Sequence, residues 1–262
     1  MSAIDIQEII FSKSGKKISQ PIASLLRRII HQREINEIIL SGEGLPPREF
    51  VAHALRKMQI RYRIFGFKPV PNQRYIFASN HPLGGLDGVM LADAVGECCI
   101  IANDLLTNIA PMREMFVPIN KFGKQSHENR TLYDSALASA KPVITFPAGL
   151  CSRRQKGKVE DREWSPRFVR DAVRFSRKIV PTYVEGALSQ RFYAIHSLRR
   201  RFGIATNVEM LLLADEMFRQ RGREFRIVFG NPLVAPSDTS AYLAAQEIRK
   251  SCYALADMLP NV

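Results

Sequence analysis

Six short apolar runs rich in β-branched and aromatic residues, Tyr75–Ala78, Cys98–Ala102, Val117–Ile119, Val143–Phe146, Ile179–Val184 and Phe225–Phe229, recur after Arg61. Stretches of helical periodicity lie between them, at Val89–Val95, Leu105–Met115, Arg130–Ala140 and Arg167–Lys178, the last opened by Ser165 and Pro166. Runs of that length cannot pair with one another through tight hairpins when a helix separates them. The alternation therefore predicts an α/β fold with a mixed, mostly parallel sheet flanked by helices. Residues 1 to 60 lack such runs and read as an N-terminal helical extension; 61 to 262 read as the α/β domain. In the extension, Ile22, Leu25, Leu26, Ile29 and Ile30 follow a 3.6 period flanked by Arg27, Arg28 and Arg33, and Pro46-Pro47 opens a second helix. Thr239 to Leu259 predicts a terminal helix with Tyr242, Ile248, Cys252 and Leu255 on its apolar face.

Several classes are excluded at once. The four cysteines form no C-x-x-C pair, and the five histidines lack ligand spacing, so neither a disulfide framework nor a metal site is expected. No secretory signal is recognisable at the N-terminus, and no apolar run approaches the roughly 20 residues that span a bilayer. The formal charge is +13, concentrated between Leu150 and Arg201, where 14 Lys or Arg face 5 Asp or Glu. Such a block attracts polyanions: an anionic bilayer, an acidic carrier or a nucleic acid.

The turn after the first buried run carries the chemistry. It reads Ser79-Asn80-His81-Pro82-Leu83-Gly84-Gly85-Leu86-Asp87-Gly88 and leads directly into a helix, at the strand end where open α/β sheets bind ligands. A histidine removes protons near neutral pH, and a carboxylate fixes its tautomer. His81 and Asp87 form such a dyad if Gly84 and Gly85 fold the chain back; the glycines also expose backbone N–H groups to an anion. The alternative is structural, with Asp87 as a helix cap and His81 as a turn residue. Cys151 is a further candidate nucleophile, or a small buried thiol.

Asn80, His81 and Asp87, then Phe116-Val-Pro-Ile-Asn-Lys121, then Phe146-Pro147-Ala148-Gly149, then Ile179-Val180-Pro181 resemble, in order, the four motif blocks of the glycerolipid acyltransferase superfamily. The resemblance spans roughly residues 75 to 235. It implies an O-acyltransferase in which His81 is the general base on an acceptor hydroxyl, Asp87 its orienting partner, and Gly84 and Gly85 an oxyanion-stabilising turn. Lys121, Arg153 and Arg154 would hold an anionic acceptor or carrier group, and Asn80, Phe146, Pro147, Gly149 and Pro181 would be structural. No tightly bound cofactor or metal is implied; acyl carrier protein or coenzyme A brings the acyl group as a thioester substrate.

This chain departs from that pattern. Five residues rather than four separate His81 from Asp87, and Ala148 stands where a glutamate is usual. With those changes it is more similar to the hemolysin-like branch that acylates lyso-ornithine or lyso-glycine lipids. The expected protein is a lipid-biosynthetic enzyme, peripheral on the cytoplasmic side of the cell membrane, with an anionic membrane surface and a lyso-lipid as partners and no nucleic acid. A 1-acylglycerol-3-phosphate acyltransferase, a thioesterase and a non-enzymatic basic module that binds membrane or nucleic acid are the alternatives.

Overall fold

The computed structural model describes residues 4–70, 73–119, 126–155, 157–203, 208–236 and 240–260. Four helices come first: α1 (Ile6–Ser14), α2 (Gln20–Ile29), α3 (Gln32–Ser41) and α4 (Pro47–Lys57). Strand β1 (Arg61–Gly66) follows, then β2 (Tyr75–Ser79), α5 (Gly85–Val95) and β3 (Cys99–Asn103). Beyond them lie β4 (Phe116–Ile119), α6 (His127–Ala138), β5 (Val143–Thr145), the hairpin of β6 (Arg153–Gln155) and β7 (Lys158–Glu160), and α7 (Arg167–Arg174). The chain ends through β8 (Lys178–Val184), α8 (Gln190–Arg201), α9 (Leu213–Arg219), β9 (Glu224–Phe229), β10 (Leu233–Val234) and α10 (Ala241–Ala254).

The main sheet has the order β1-β9-β8-β2-β5-β3-β4, with β10 added beside β8. Strands β8, β2, β5, β3 and β4 run parallel, and β9 turns antiparallel to β8, giving the mixed, mostly parallel sheet that the alternation implies. Central β2 is buried at all five positions, and its side chains divide by the two-residue period of a strand. Tyr75 and Phe77 face a core with Phe50, Val51 and Leu55 of α4 and Met90 and Leu91 of α5. Ile76 and Ala78 face the other core, against Tyr133 and Leu137 of α6, Phe168 and Val169 of α7, and Ile248 and Cys252 of α10. Helices thus cover both faces, and the carboxyl end of β2 opens at the middle of the sheet.

Three local expectations change. Leu105–Met115 is not one α-helix but two 3-10 segments, Asp104–Asn108 and Ala110–Met115, because Pro111 cannot supply the N–H that a continuous helix requires. Tyr242 is exposed; Ala244 and Ala245 join Ile248 and Cys252 in the packed face of α10. On α2, Ala23 is buried while Ile22 and Leu25 point into solvent, so the apolar stripe is only partly consumed by packing. No helix among the described residues is long and apolar enough to cross a membrane.

Candidate active site

The turn after β2 is held from the strand outward. At the end of β2, the Asn80 side chain donates from Nδ2 to the Val184 carbonyl (2.9 Å) and accepts the Val184 N–H (2.7 Å) at Oδ1. An amide side chain thus extends the pairing with β8 and fixes the direction in which the chain leaves the sheet. The reversal comes at Gly84, whose φ of 68° is positive and where an added Cβ would approach Leu213 Cδ2 to 3.2 Å and Cys151 Sγ to 3.5 Å. Glycine is needed there for conformation and for space. Helix α5 then begins at Gly85 and brings Asp87 round in its first turn.

That geometry closes the dyad. His81 Nδ1 lies 2.9 Å from Asp87 Oδ2, and the same oxygen accepts the Leu83 N–H at 2.9 Å. Asp87 does not cap α5; its carboxylate turns back to the loop and is 0% exposed, against 18% for the His81 side chain. The ring is stacked on Phe146, with centroids 4.1 Å apart and planes at 25°. With Nδ1–H given to the carboxylate, Nε2 is the nitrogen available to take a proton from a hydroxyl. Burial pushes the Asp87 carboxyl up. Burial also works against an imidazolium at His81, but the Cys151 sulfur and the Asp87 hydrogen bond together outweigh it, leaving the imidazole above its ordinary value.

The other residues singled out by sequence divide between this site and its supports. Phe146 forms one wall, Pro147 accepts the Ser165 N–H (3.0 Å), and Gly149 closes a turn onto the Phe146 carbonyl (2.9 Å) at a φ of 67°. Pro181 pairs with Ala78 in the strand beside β2. Arg153 is buried, with Nη1 donating to the Cys151 carbonyl (2.7 Å) and Nη2 to Glu209 (3.3 Å), while its guanidinium lies over the Phe192 ring. Its fork is directed into the protein, beneath the loop that it holds. Arg154 is exposed, 5.3 Å above the Tyr193 ring. Lys121 lies outside the described residues. No group of three or more His, Cys, Asp or Glu among the described residues is arranged to hold a metal ion.

A family model described as Acyltransferase matches residues 15–260. The chain belongs to the acyltransferase family. Over 239 residues it is 36% identical to a lyso-glycine lipid O-acyltransferase of Phocaeicola vulgatus, an alignment covering 88% of this chain and 86% of that protein. A lyso-glycine lipid O-acyltransferase of Bacteroides thetaiotaomicron is 35% identical over 239 residues, 88% of each chain. The fold is similar to that of the 1-acyl-sn-glycerophosphate acyltransferase of Thermotoga maritima, at a TM-score of 0.53 and 13% identity over 99% of this chain and 91% of that one.

One residue of this acyltransferase that sequence reasoning passed over is Asp161. It is buried, and its Oδ1 accepts the His81 N–H (3.2 Å) and the Ser152 hydroxyl (2.6 Å), while Oδ2 accepts the Trp164 indole N–H (2.9 Å). Ser152 in turn donates its N–H to the His81 carbonyl at 2.8 Å. The main chain of His81 is thus clamped from both sides by the segment after β5. An acidic residue inside a basic block, three positions before the chain's one tryptophan, was the available signal. Asp161→Asn keeps one acceptor oxygen but sets an amide N–H against another donor. Turnover should fall on the order of 10- to 100-fold with KM changed much less, because sub-ångström misplacement of a base costs rate rather than binding. Steady-state kinetics alongside thermal melting checks this; a folded variant with wild-type turnover would leave Asp161 without a positioning role.

Proposed function

We propose that this acyltransferase moves a fatty acyl group from an acyl thioester to the hydroxyl of a lyso-amino-acid lipid, of the lyso-glycine type, at a membrane surface. The His81–Asp87 dyad at the end of β2 carries the reading, in a chain more than a third identical to proteins named for that acceptor. In this mechanism His81 Nε2 takes the proton of the acceptor hydroxyl as its oxygen attacks the thioester carbonyl. The N–H groups of Gly84, just before α5, and of Gly85, its first residue, lack acceptors within the helix and stabilise the oxyanion. Collapse of the tetrahedral intermediate breaks the carbon–sulfur bond, and the imidazolium returns its proton to the departing thiolate. Asp87 stabilises the imidazolium between the two transfers.

The acceptor of this proposal is a 3-hydroxyacyl amide of glycine, whose carboxylate meets Arg154, with Lys121 as the second cation. The donor is a thioester of acyl carrier protein or coenzyme A, either of which presents an anionic carrier to the basic side of the site. No tightly bound cofactor takes part. The enzyme works peripherally on the cytoplasmic face, held by the exposed side of α2 and by basic residues. Purified protein given one acyl thioester and equal amounts of lyso-glycine lipid and lysophosphatidic acid provides the test. Diacylated glycine lipid should predominate by at least about tenfold, since relatives 35% and 36% identical are named for that acceptor and Ala148 stands where the phosphatidic acid pattern has a glutamate. Preferential formation of phosphatidic acid would overturn the acceptor and leave the transferase chemistry intact.

A further inference from the structure

Beyond α2, a second apolar edge lies close to the catalytic turn. Helix α8 buries Phe192 and Tyr193 in a small cluster with Leu188 and Leu212, yet the side chains at its end point outward: Leu198 is 56% exposed and Phe202 70%. Leu211, in the 3-10 segment Val208–Leu212 that packs on α8, is 51% exposed. Arg191, Arg200 and Arg201 are exposed on the same helix. Protruding large apolar side chains edged by arginines suit neither a solvated surface nor a purely charged one.

The edge is braced and well placed. Glu209, fully buried, ties the 3-10 segment to α8 through Arg199 (2.9 Å) and His196 (2.8 Å), and reaches Arg153 beside the active site (3.3 Å). Leu213, next along the chain, is the residue that crowds Gly84 in the catalytic turn. Ile29 of α2 packs against the Phe192 cluster, and His31, just after α2, is 3.0 Å from Asp215 of α9. The exposed residues of α2 and of α8 are therefore carried by elements packed on one another, and the segment beside α8 reaches the turn that holds His81 through Leu213.

We infer that the end of α8 and the adjoining 3-10 segment form a second membrane contact, in which Leu198, Phe202 and Leu211 enter an anionic bilayer while Arg200 and Arg201 meet its headgroups. This deepens the lipid-acceptor reading and rests on it: with α2 it gives the bilayer two points of support on connected elements, one of which reaches the His81 turn through Leu213. An acidic carrier protein fits the arginines but gives no reason for a phenylalanine standing this far into solvent. Charge complementarity together with insertable side chains commits the surface to the bilayer.

The test uses vesicles of phosphatidylglycerol and phosphatidylcholine without thioester or lyso-lipid, so its outcome is independent of the acceptor. Phe202→Trp is read against Trp164, which is 1% exposed and supplies a constant background. Emission of the variant should be quenched by lipids brominated on their acyl chains. The pair Leu198→Glu and Phe202→Glu should weaken vesicle binding by roughly tenfold or more with an unchanged melting profile, since buried apolar surface is exchanged for charge. Bound protein without quenching, or unaltered affinity in the glutamate variant, would overturn the inference. Loss of self-association or of carrier-protein binding, with vesicle binding intact, would also overturn it and assign the edge to that partner.

Discussion

Replacing His81 by alanine should reduce acyl transfer by roughly 10²–10⁴-fold, the usual contribution of a positioned general base. The expectation follows from where the imidazole sits. It is the titratable group at the open end of β2 with one nitrogen held by a buried carboxylate, and its ring is stacked on Phe146 rather than packed into either core. Removing it leaves the strand rung made by Asn80 and the backbone clamp made by Asp161 and Ser152, neither of which uses the imidazole. The fold and vesicle binding should therefore survive, so the loss belongs in kcat. Single-turnover measurements with enzyme in excess over the acceptor lipid separate chemistry from product release. Transfer by the folded alanine variant at a rate near wild type would remove His81 from the reaction.

Much of this arrangement is legible in the amino-acid order because it is local. The dyad needs seven residues of chain and one reversal, and Gly84 between a buried run and a helix announces the reversal. The continuous apolar run Tyr75–Ala78 and the alternation of strands with helices similarly depend on near neighbours. What escapes is set by distant contacts. Strand β1, with the exposure of an edge strand at Arg61 and Arg63, carries too much charge to stand out as β structure until β9 supplies its partner from 163 residues away, as in the pairing of Arg61 with Glu224. Arg153 looks like an anion-binding residue in a basic run. Its actual carboxylate, Glu209, lies 56 residues downstream, and only folding brings the two together. Asp161 is hidden for the same reason, since the contact that ties it to the site is to a backbone N–H 80 residues earlier, and its own main-chain N–H is given to a tyrosine hydroxyl 92 residues later.

Asp87→Asn should retain the geometry of the turn and lose most of the rate. With the asparagine oxygen in the place of Oδ2, the Leu83 N–H and the His81 Nδ1–H keep their acceptor, and the amide nitrogen takes the buried position of Oδ1, which has no hydrogen-bond partner. The change removes negative charge beside the imidazole while preserving its orientation. An imidazolium formed during proton transfer then loses its hydrogen-bonded counter-charge, and kcat should fall on the order of 10²–10⁴-fold. The pH profile carries the sign. His81 acts when neutral, so kcat/KM rises as pH rises through its pKa. Asp87 helps to hold that pKa above the ordinary histidine value, so the asparagine variant must reach its plateau at lower pH than wild type. Cys151→Ala, which deletes the other group holding the imidazole up, should move the rising limb the same way with far less loss of plateau rate. A limb in Asp87→Asn that stays in place or moves to higher pH would show that the carboxylate does not govern the base. A collapse of rate in Cys151→Ala, with an acyl group trapped on the wild-type thiol, would instead make Cys151 a nucleophile and His81 its activator.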